Sequence, residues 1–135
     1  MIADQRPRVP FVYVYNAGRS QMAAALFNRY ASGRAVADSA GTRPASHVHP
    51  EFVEVMREIG VDLSGARPQL MTAELAAGAA RVITMGCAEG ECPVVSVPVE
   101  DWGRPDPAGQ SLATVRAIRD DIDRRVRSML PSLAI

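Results

Sequence analysis

Residue types and spacing that could do chemistry fall in three stretches of this chain. Residues 13–20, Tyr-Val-Tyr-Asn-Ala-Gly-Arg-Ser, stand between a hydrophobic run and a helical pattern. A short loop that opens a helix aims several backbone N–H groups at one point, and the helix dipole adds positive potential there. Arg19 can add a planar fork of donors that suits a tetrahedral oxyanion. Gly18 permits close backbone approach or a positive φ. On these features alone an anion site and an ordinary strand-to-helix turn both stand. Cys87 and Cys92 flank Ala-Glu-Gly-Glu, a spacing across which a flexible loop can bring two sulfurs within bonding distance. The pair reads as inert thiols, as a reversible redox pair or, least, as metal ligands, because His47 and His49 lie far off in sequence. His47 and His49 bracket Val48 in a loop that leads into a helix, where exposed polar residues are the expectation. Asp106 precedes Pro107, the pattern of a turn or of a helix-capping aspartate with proline at the first helical position. No metal site is expected.

The elements that must hold these residues follow from periodicity. Val9-Pro-Phe-Val-Tyr-Val-Tyr15 is β-branched and aromatic and predicts a buried strand, with Pro10 tolerable only as an entry residue or on an open edge. Met22, Ala23, Leu26, Phe27 and Tyr30 share one helical face, with Gly33 as the stop. Ala35–Ala40 predicts a second strand closed by Gly41. Phe52, Val55, Met56 and Ile59 predict a helix from about Pro50 to Ile59, ended by Gly60. Thr72–Ala80 predicts a short helix, Arg81–Met85 a third strand and Val94–Val99 a fourth. Leu112, Val115, Ile118, Ile122, Val126 and Met129 form the apolar stripe of a C-terminal helix whose other face is charged and solvated. Strands alternating with helices predict an α/β domain of three layers, with a central parallel sheet of about four strands. In such sheets ligands gather beyond the carboxyl ends of the strands, where residues 13–20, Gly41 and residues 85–92 fall.

The chain has 135 residues with 47% hydrophobic and 22% charged, the size of one domain spanning 1–135. All 15 basic residues are arginine, balanced by 15 acidic residues to a formal net charge of zero. That balance excludes an ordinary electrostatic nucleic-acid binder, though not a local cationic pocket. No apolar run approaches the roughly 20 residues that span a bilayer, and the N-terminus lacks a basic-then-apolar signal pattern. No membrane role and a cytoplasmic location are expected. There, two closely spaced cysteines signal redox or metal chemistry more often than scaffolding.

The string Asn16-Ala-Gly-Arg-Ser-Gln-Met-Ala-Ala24 after a hydrophobic strand resembles the phosphate loop of arsenate reductases built on the low-molecular-weight protein tyrosine phosphatase fold. Further matches follow in order: Asp38-Ser-Ala-Gly-Thr42, His49-Pro50, Gly60-Val-Asp-Leu-Ser64, Ile83-Thr-Met-Gly-Cys87, Cys92-Pro93, Asp101-Trp102 and Asp106-Pro-Ala-Gly109. In that family the loop is Cys-x5-Arg. The thiolate attacks phosphorus or arsenic, the loop amides and the arginine hold the oxyanion, and an aspartate before proline is the general acid. The resemblance implies an anion cradle of Val14, Tyr15, Asn16, Ala17, Gly18, Arg19 and Ser20. In it Arg19 is the clamp, Asn16 the prop and Ser20 a hydrogen-bond partner of the nucleophile, with Asp106 as the acid and Tyr15 at the mouth. Trp102 belongs to the segment that carries the acid and reads as packing. The implied ligand is phosphate or arsenate, with no cofactor. Some thioredoxin-coupled members carry a glutamate at the Ala24 position that helps build a potassium site. Ala23–Ala25 here is closer to mycothiol-linked members, while the cysteine pair is closer to the thioredoxin-coupled ones. The thiol reductant, a thioredoxin or a mycothiol system, stays open.

The nucleophile position falls on Tyr13. A cysteine thiol starts near pKa ~8.5 and falls further at a helix N-terminus beside arginine, whereas a phenol starts at about 10 and sits farther from the backbone. Three readings follow. The chain is a degenerate homologue, a pseudoenzyme that binds an oxyanion with little thiolate-type turnover. Alternatively it is an arsenate reductase-type oxidoreductase working through Cys87 and Cys92. The third reading is a protein-interaction module whose anion site is plugged by Tyr13, and for Tyr13 a ring in the cradle and a ring turned outward are both open.

Overall fold

A computed structural model describes residues 6–13, 15–72, 79–85, 99–102 and 111–133. Val14, Cys87, Cys92 and Asp106, with most of the expected 72–80 helix and residues 94–98 of the expected fourth strand, lie outside the described residues. The elements run β1 (Arg8–Val12), α1 (Arg19–Ala31), β2 (Val36–Ala40), α2 (Pro50–Arg57), β3 (Val82–Thr84), β4 (Val99–Asp101) and α3 (Leu112–Met129), with a 3-10 turn at Leu130–Leu133. All strand pairs are parallel in the order β2-β1-β3-β4. This is the α/β architecture expected from the alternation of strands and helices.

Pro10 departs from expectation, because β1 is an inner strand and Pro10 is buried within it. Backbone groups along a strand alternate sides. The carbonyls of Arg8 and Val12 accept N–H bonds from Ala80 and Met85, so the donor that Pro10 lacks would also face β3. Pairing between β1 and β3 begins only at Phe11–Ile83, whereas β1 pairs with β2 along all of its length. An inner strand thus tolerates a proline where its neighbour has not yet begun. β1 also ends at Val12 rather than Tyr15, and β4 starts where the expected fourth strand was to finish.

Both faces of β1 and β3 are buried, whereas β4 is exposed. Val9, Phe11 and Ile83 look toward the helices, while Pro10, Val12, Ala40, Val82 and Thr84 lie on the opposite face. Phe11 is the meeting point, edge-on to Phe27 of α1 at 5.9 Å and to Trp102 after β4 at 5.5 Å. Trp102 is therefore a packing residue. The three helices also hold one another. Tyr30 of α1 donates to Asp123 of α3 at 2.6 Å, and Arg127 both donates to the Tyr30 hydroxyl and lies over its ring. Arg119 of α3 donates to the Val55 carbonyl of α2 at 2.9 Å. α1 stops at two successive left-handed residues, Ser32 and Gly33, and α2 begins with Pro50 in its first turn. Ser111 caps α3 by accepting the Thr114 N–H at 3.2 Å.

Candidate functional site

The carboxyl ends of β1 and β2 meet at residues 13–20. Tyr13 still belongs to the sheet edge, its N–H donating to Ala40 at 3.1 Å. Its ring is not turned to solvent: the residue is 6% exposed, sits in the main apolar cluster and meets Tyr15 edge-on at 6.1 Å. Tyr15 is 45% exposed and carries the Arg43 guanidinium over its ring. The Tyr15 carbonyl accepts from Ala45 and the Ala17 carbonyl from His49, so the segment after β2 and the start of α2 both flank the loop.

The turn itself is made by Asn16, whose φ of 51° is the left-handed conformation. Sequence reasoning assigned that freedom to Gly18, whose φ is −143°. Asparagine tolerates positive φ because its short amide bonds locally. Here the amide is fully buried and bonded at both ends. Nδ2 donates to Ser20 Oγ at 2.9 Å, and Oδ1 accepts from the Gln69 N–H at 2.9 Å and from Gln21 Nε2 at 3.1 Å. Gln69 in turn donates its side chain to the Ser39 carbonyl and accepts the Gly41 N–H. The strap at 66–71 thus fastens the loop to the end of β2. Gln21 and Gln69 were missed by sequence reasoning. Gln21 stood inside the Asn16–Ala24 string and could have been found there, whereas nothing in the spacing marks Gln69.

Gly18 is the N-cap of α1 and has no side chain to cap it. The first-turn N–H groups of a helix lack intrahelical acceptors, and among the described residues no side chain caps this end. Arg19, half-buried, opens α1 and adds a guanidinium in that first turn. Ser20 is fully buried in the same turn. Beside the loop, Thr42 Oγ1 is buried with no hydrogen-bond partner. Of the residues assigned to the cradle, Tyr15, Asn16, Ala17, Gly18, Arg19 and Ser20 are brought together. His47 is exposed and bonds Ser46, but His49 is half-buried against Phe52 rather than exposed. Among the described residues no cluster of three or more metal-binding side chains occurs, and no helix is long and apolar enough to cross a membrane.

A parallel sheet with a buttressed strand–loop–helix turn at the carboxyl end of β1 places the chain in the α/β class. Within that class, residues 8–134 match the low molecular weight phosphotyrosine protein phosphatase family. The chain is 45% identical over 131 residues to a putative arsenate reductase of Halobacterium salinarum, covering 93% of this chain and 92% of that one. The structure superposes on a thioredoxin-dependent arsenate reductase of Corynebacterium glutamicum with a TM-score of 0.82 and 36% identity. That match covers 98% of this chain and 64% of the other. An arsenate reductase in its phosphate-binding state gives a TM-score of 0.80 at 30% identity, covering 94% of this chain and 98% of that one. The chain belongs to the low-molecular-weight phosphatase family, with the arsenate reductases as its relatives.

Proposed function

We propose that this protein binds a phosphate- or arsenate-like oxyanion at loop 13–20, with little turnover of the thiolate type. The observation that carries the reading is Asn16, buried in a left-handed turn and bonded to Ser20, Gln21 and Gln69. So elaborate a support for one turn favours a loop whose shape matters beside an uncapped helix start. Tyr13 stands where the resemblance puts a thiolate, and a phenol near pKa ~10 is a poor substitute at neutral pH. Under this reading the chain is a single domain and a degenerate member of its family, with Asp106 at the acid's position.

A second reading is favoured by the 45% identity to a putative arsenate reductase. In it Cys87 and Cys92 carry the redox chemistry, and a thiol reductant of the thioredoxin or mycothiol kind restores them. Tyr13's burial favours a third, in which its ring plugs the cradle and the surface serves a protein partner.

Thermal unfolding with phosphate or arsenate separates them. A ligand at ~100 times its dissociation constant adds about 2.7 kcal/mol, which raises the midpoint by several degrees in a domain of this size. The expected result is an upward shift that vanishes in Arg19→Ala. No shift at millimolar anion sinks the binding reading in favour of the plugged one. Arsenate reduction that is lost in Cys87→Ser establishes the second.

A further inference from the structure

Gln21 enters the anion-binding reading only as a support of Asn16, yet it is 6% exposed and placed against the loop's prop. Its Nε2 faces three oxygens: the Asn16 carbonyl at 3.1 Å, Asn16 Oδ1 at 3.1 Å and the Arg67 carbonyl at 3.2 Å. All three are acceptors, so only a donor is tolerated there. The Gln69 N–H imposes the same requirement on Asn16 Oδ1 from the other side. With Oδ1 held by two donors, Asn16 must turn its Nδ2 toward Ser20, and Ser20 Oγ accepts at 2.9 Å. A hydroxyl that accepts on one side keeps its single hydrogen for another partner. Ser20 lies in the first turn of α1, beside Arg19 and the uncapped N–H groups.

We propose that Gln21 is a positioning residue that, together with the Gln69 N–H, sets the direction of this hydrogen-bond chain and so makes the Ser20 hydroxyl a donor to the bound oxyanion. The proposal rests on the anion-binding reading above. It differs from simple bracing of the loop, because what Gln21 supplies is a sense of polarity. An acceptor at position 21 opposes the Gln69 N–H, and where it prevails Asn16 turns its amide over, Ser20 donates to Asn16, and the oxygen lone pairs of Ser20 confront the anion.

Gln21→Glu supplies such an acceptor with almost no change of shape. An ionised carboxylate would face three oxygens, while a neutral carboxylic acid can donate once and restore the original sense. Burial among acceptors pushes that carboxyl's pKa above the usual ~4.3. Inorganic phosphate binding is measured by calorimetry from pH 5 to 8.5 in the natural protein, Gln21→Glu and Gln21→Met. Phosphate itself and the ionisable groups beside the loop, Tyr13, Tyr15, Arg19, Arg67 and His49, whose backbone N–H bonds the Ala17 carbonyl, are the same in all three proteins. The ratio of each variant to the natural protein at each pH removes their contribution. The expected result for Gln21→Glu is affinity about tenfold or more weaker at pH 8.5, approaching the natural value as pH falls. Gln21→Met, which cannot donate at any pH, should be weaker by a ratio that does not change with pH. If the natural protein binds phosphate and Gln21→Glu binds equally well at pH 8.5, the proposal is overturned. A loss in Gln21→Glu that is the same at every pH also overturns it, since bracing alone would explain that. Should Gln21→Glu fail to fold, undiminished affinity in Gln21→Met refutes the proposal on its own. Failure of the natural protein to bind phosphate sinks the anion-binding reading instead.

Discussion

Tyr13 concentrates the question of what this site can do. Around it stand an uncapped helix start, an arginine in the first turn and a buried serine. At its own position stands a ring that packs in the core and against Tyr15. A thiol at the end of β1 would lie beside the α1 N-terminus and Arg19, the surroundings that lower a cysteine's pKa. Tyr13→Cys is therefore expected to raise aryl phosphate hydrolysis or arsenate reduction about a thousandfold or more over the natural chain, as a steady-state assay would read. A dead Tyr13→Cys protein that still binds phosphate would mean that the rest of the machinery has drifted. At this scale the sequence was legible where a residue's chemistry is local. Arg19 draws notice by standing between a strand and a helix, and Asn16 and Ser20 by resemblance. The partners of Asn16 were not legible. Gln21 looks like one more polar residue on a helix, and Gln69 comes from 53 positions away in the chain. Assigning positive φ to Gly18 followed propensity, but a bonded asparagine met the requirement instead.

Helix faces were the most legible elements. Met22, Ala23, Leu26 and Phe27 of α1 are buried as their spacing requires, and so are Val115, Ile122, Val126 and Met129 of α3. At the ends of the stripes the pattern weakens. Leu112 is 38% exposed, and Tyr30 spends its hydroxyl on Asp123. Strand ends were less legible, because a hydrophobic run continues past the point where its neighbours stop pairing. Pro10 shows the same limit, since whether a missing donor matters depends on which strand lies on that side. The α2–α3 contact makes a prediction about acid. Glu58 caps the carboxyl end of α2, where a negative charge opposes the helix dipole. Arg116 meets it with two nitrogens in three bonds of 2.7–3.0 Å, and Arg119 adds a fourth at 3.0 Å. Hydrogen bonding from Arg116, the largest cause, and from Arg119 lowers the Glu58 pKa from 4.5 to about 2. A carboxyl held lower in the folded chain contributes stability above its unfolded pKa and loses that contribution as pH falls through the folded one. The contribution of this pair should thus be complete above pH ~4.5 and disappear toward pH ~2, more weakly in high salt because the pair lies at the surface. A carboxyl-detected NMR titration should find the low value, and Arg116→Ala should return it toward the ordinary range. An unshifted Glu58 would mean that the pair does not persist in solution.

For the whole molecule, one ring contact links the layers, Phe27 of α1 against Phe11 of β1, with Trp102 on the other side of Phe11. Phe27 is fully buried, so Phe27→Ala removes a core ring and leaves a cavity. A loss of about 3–5 kcal/mol is expected from equilibrium unfolding in urea, and a loss under 1 kcal/mol would mean that the core closes over the gap. The same layering divides labour along the chain. Every described hydrogen bond that shapes the anion loop, from Asn16, Ser20, Gln21, Ser39, Gly41 and Gln69, comes from the first 72 residues. Residues 79–133 bring β3, β4 and α3, which complete the sheet and cover α1. On the ribosome, then, the cradle and its supports emerge well before the helix that shields the back of α1. Throughout that interval Tyr30 lacks Asp123 and Arg127 of α3, and a nascent chain with such a helix face uncovered is a client for chaperones. Under the anion-binding reading, the loop and its supports are therefore synthesised early, while the contacts of α1 with α3 arrive with the last described helix.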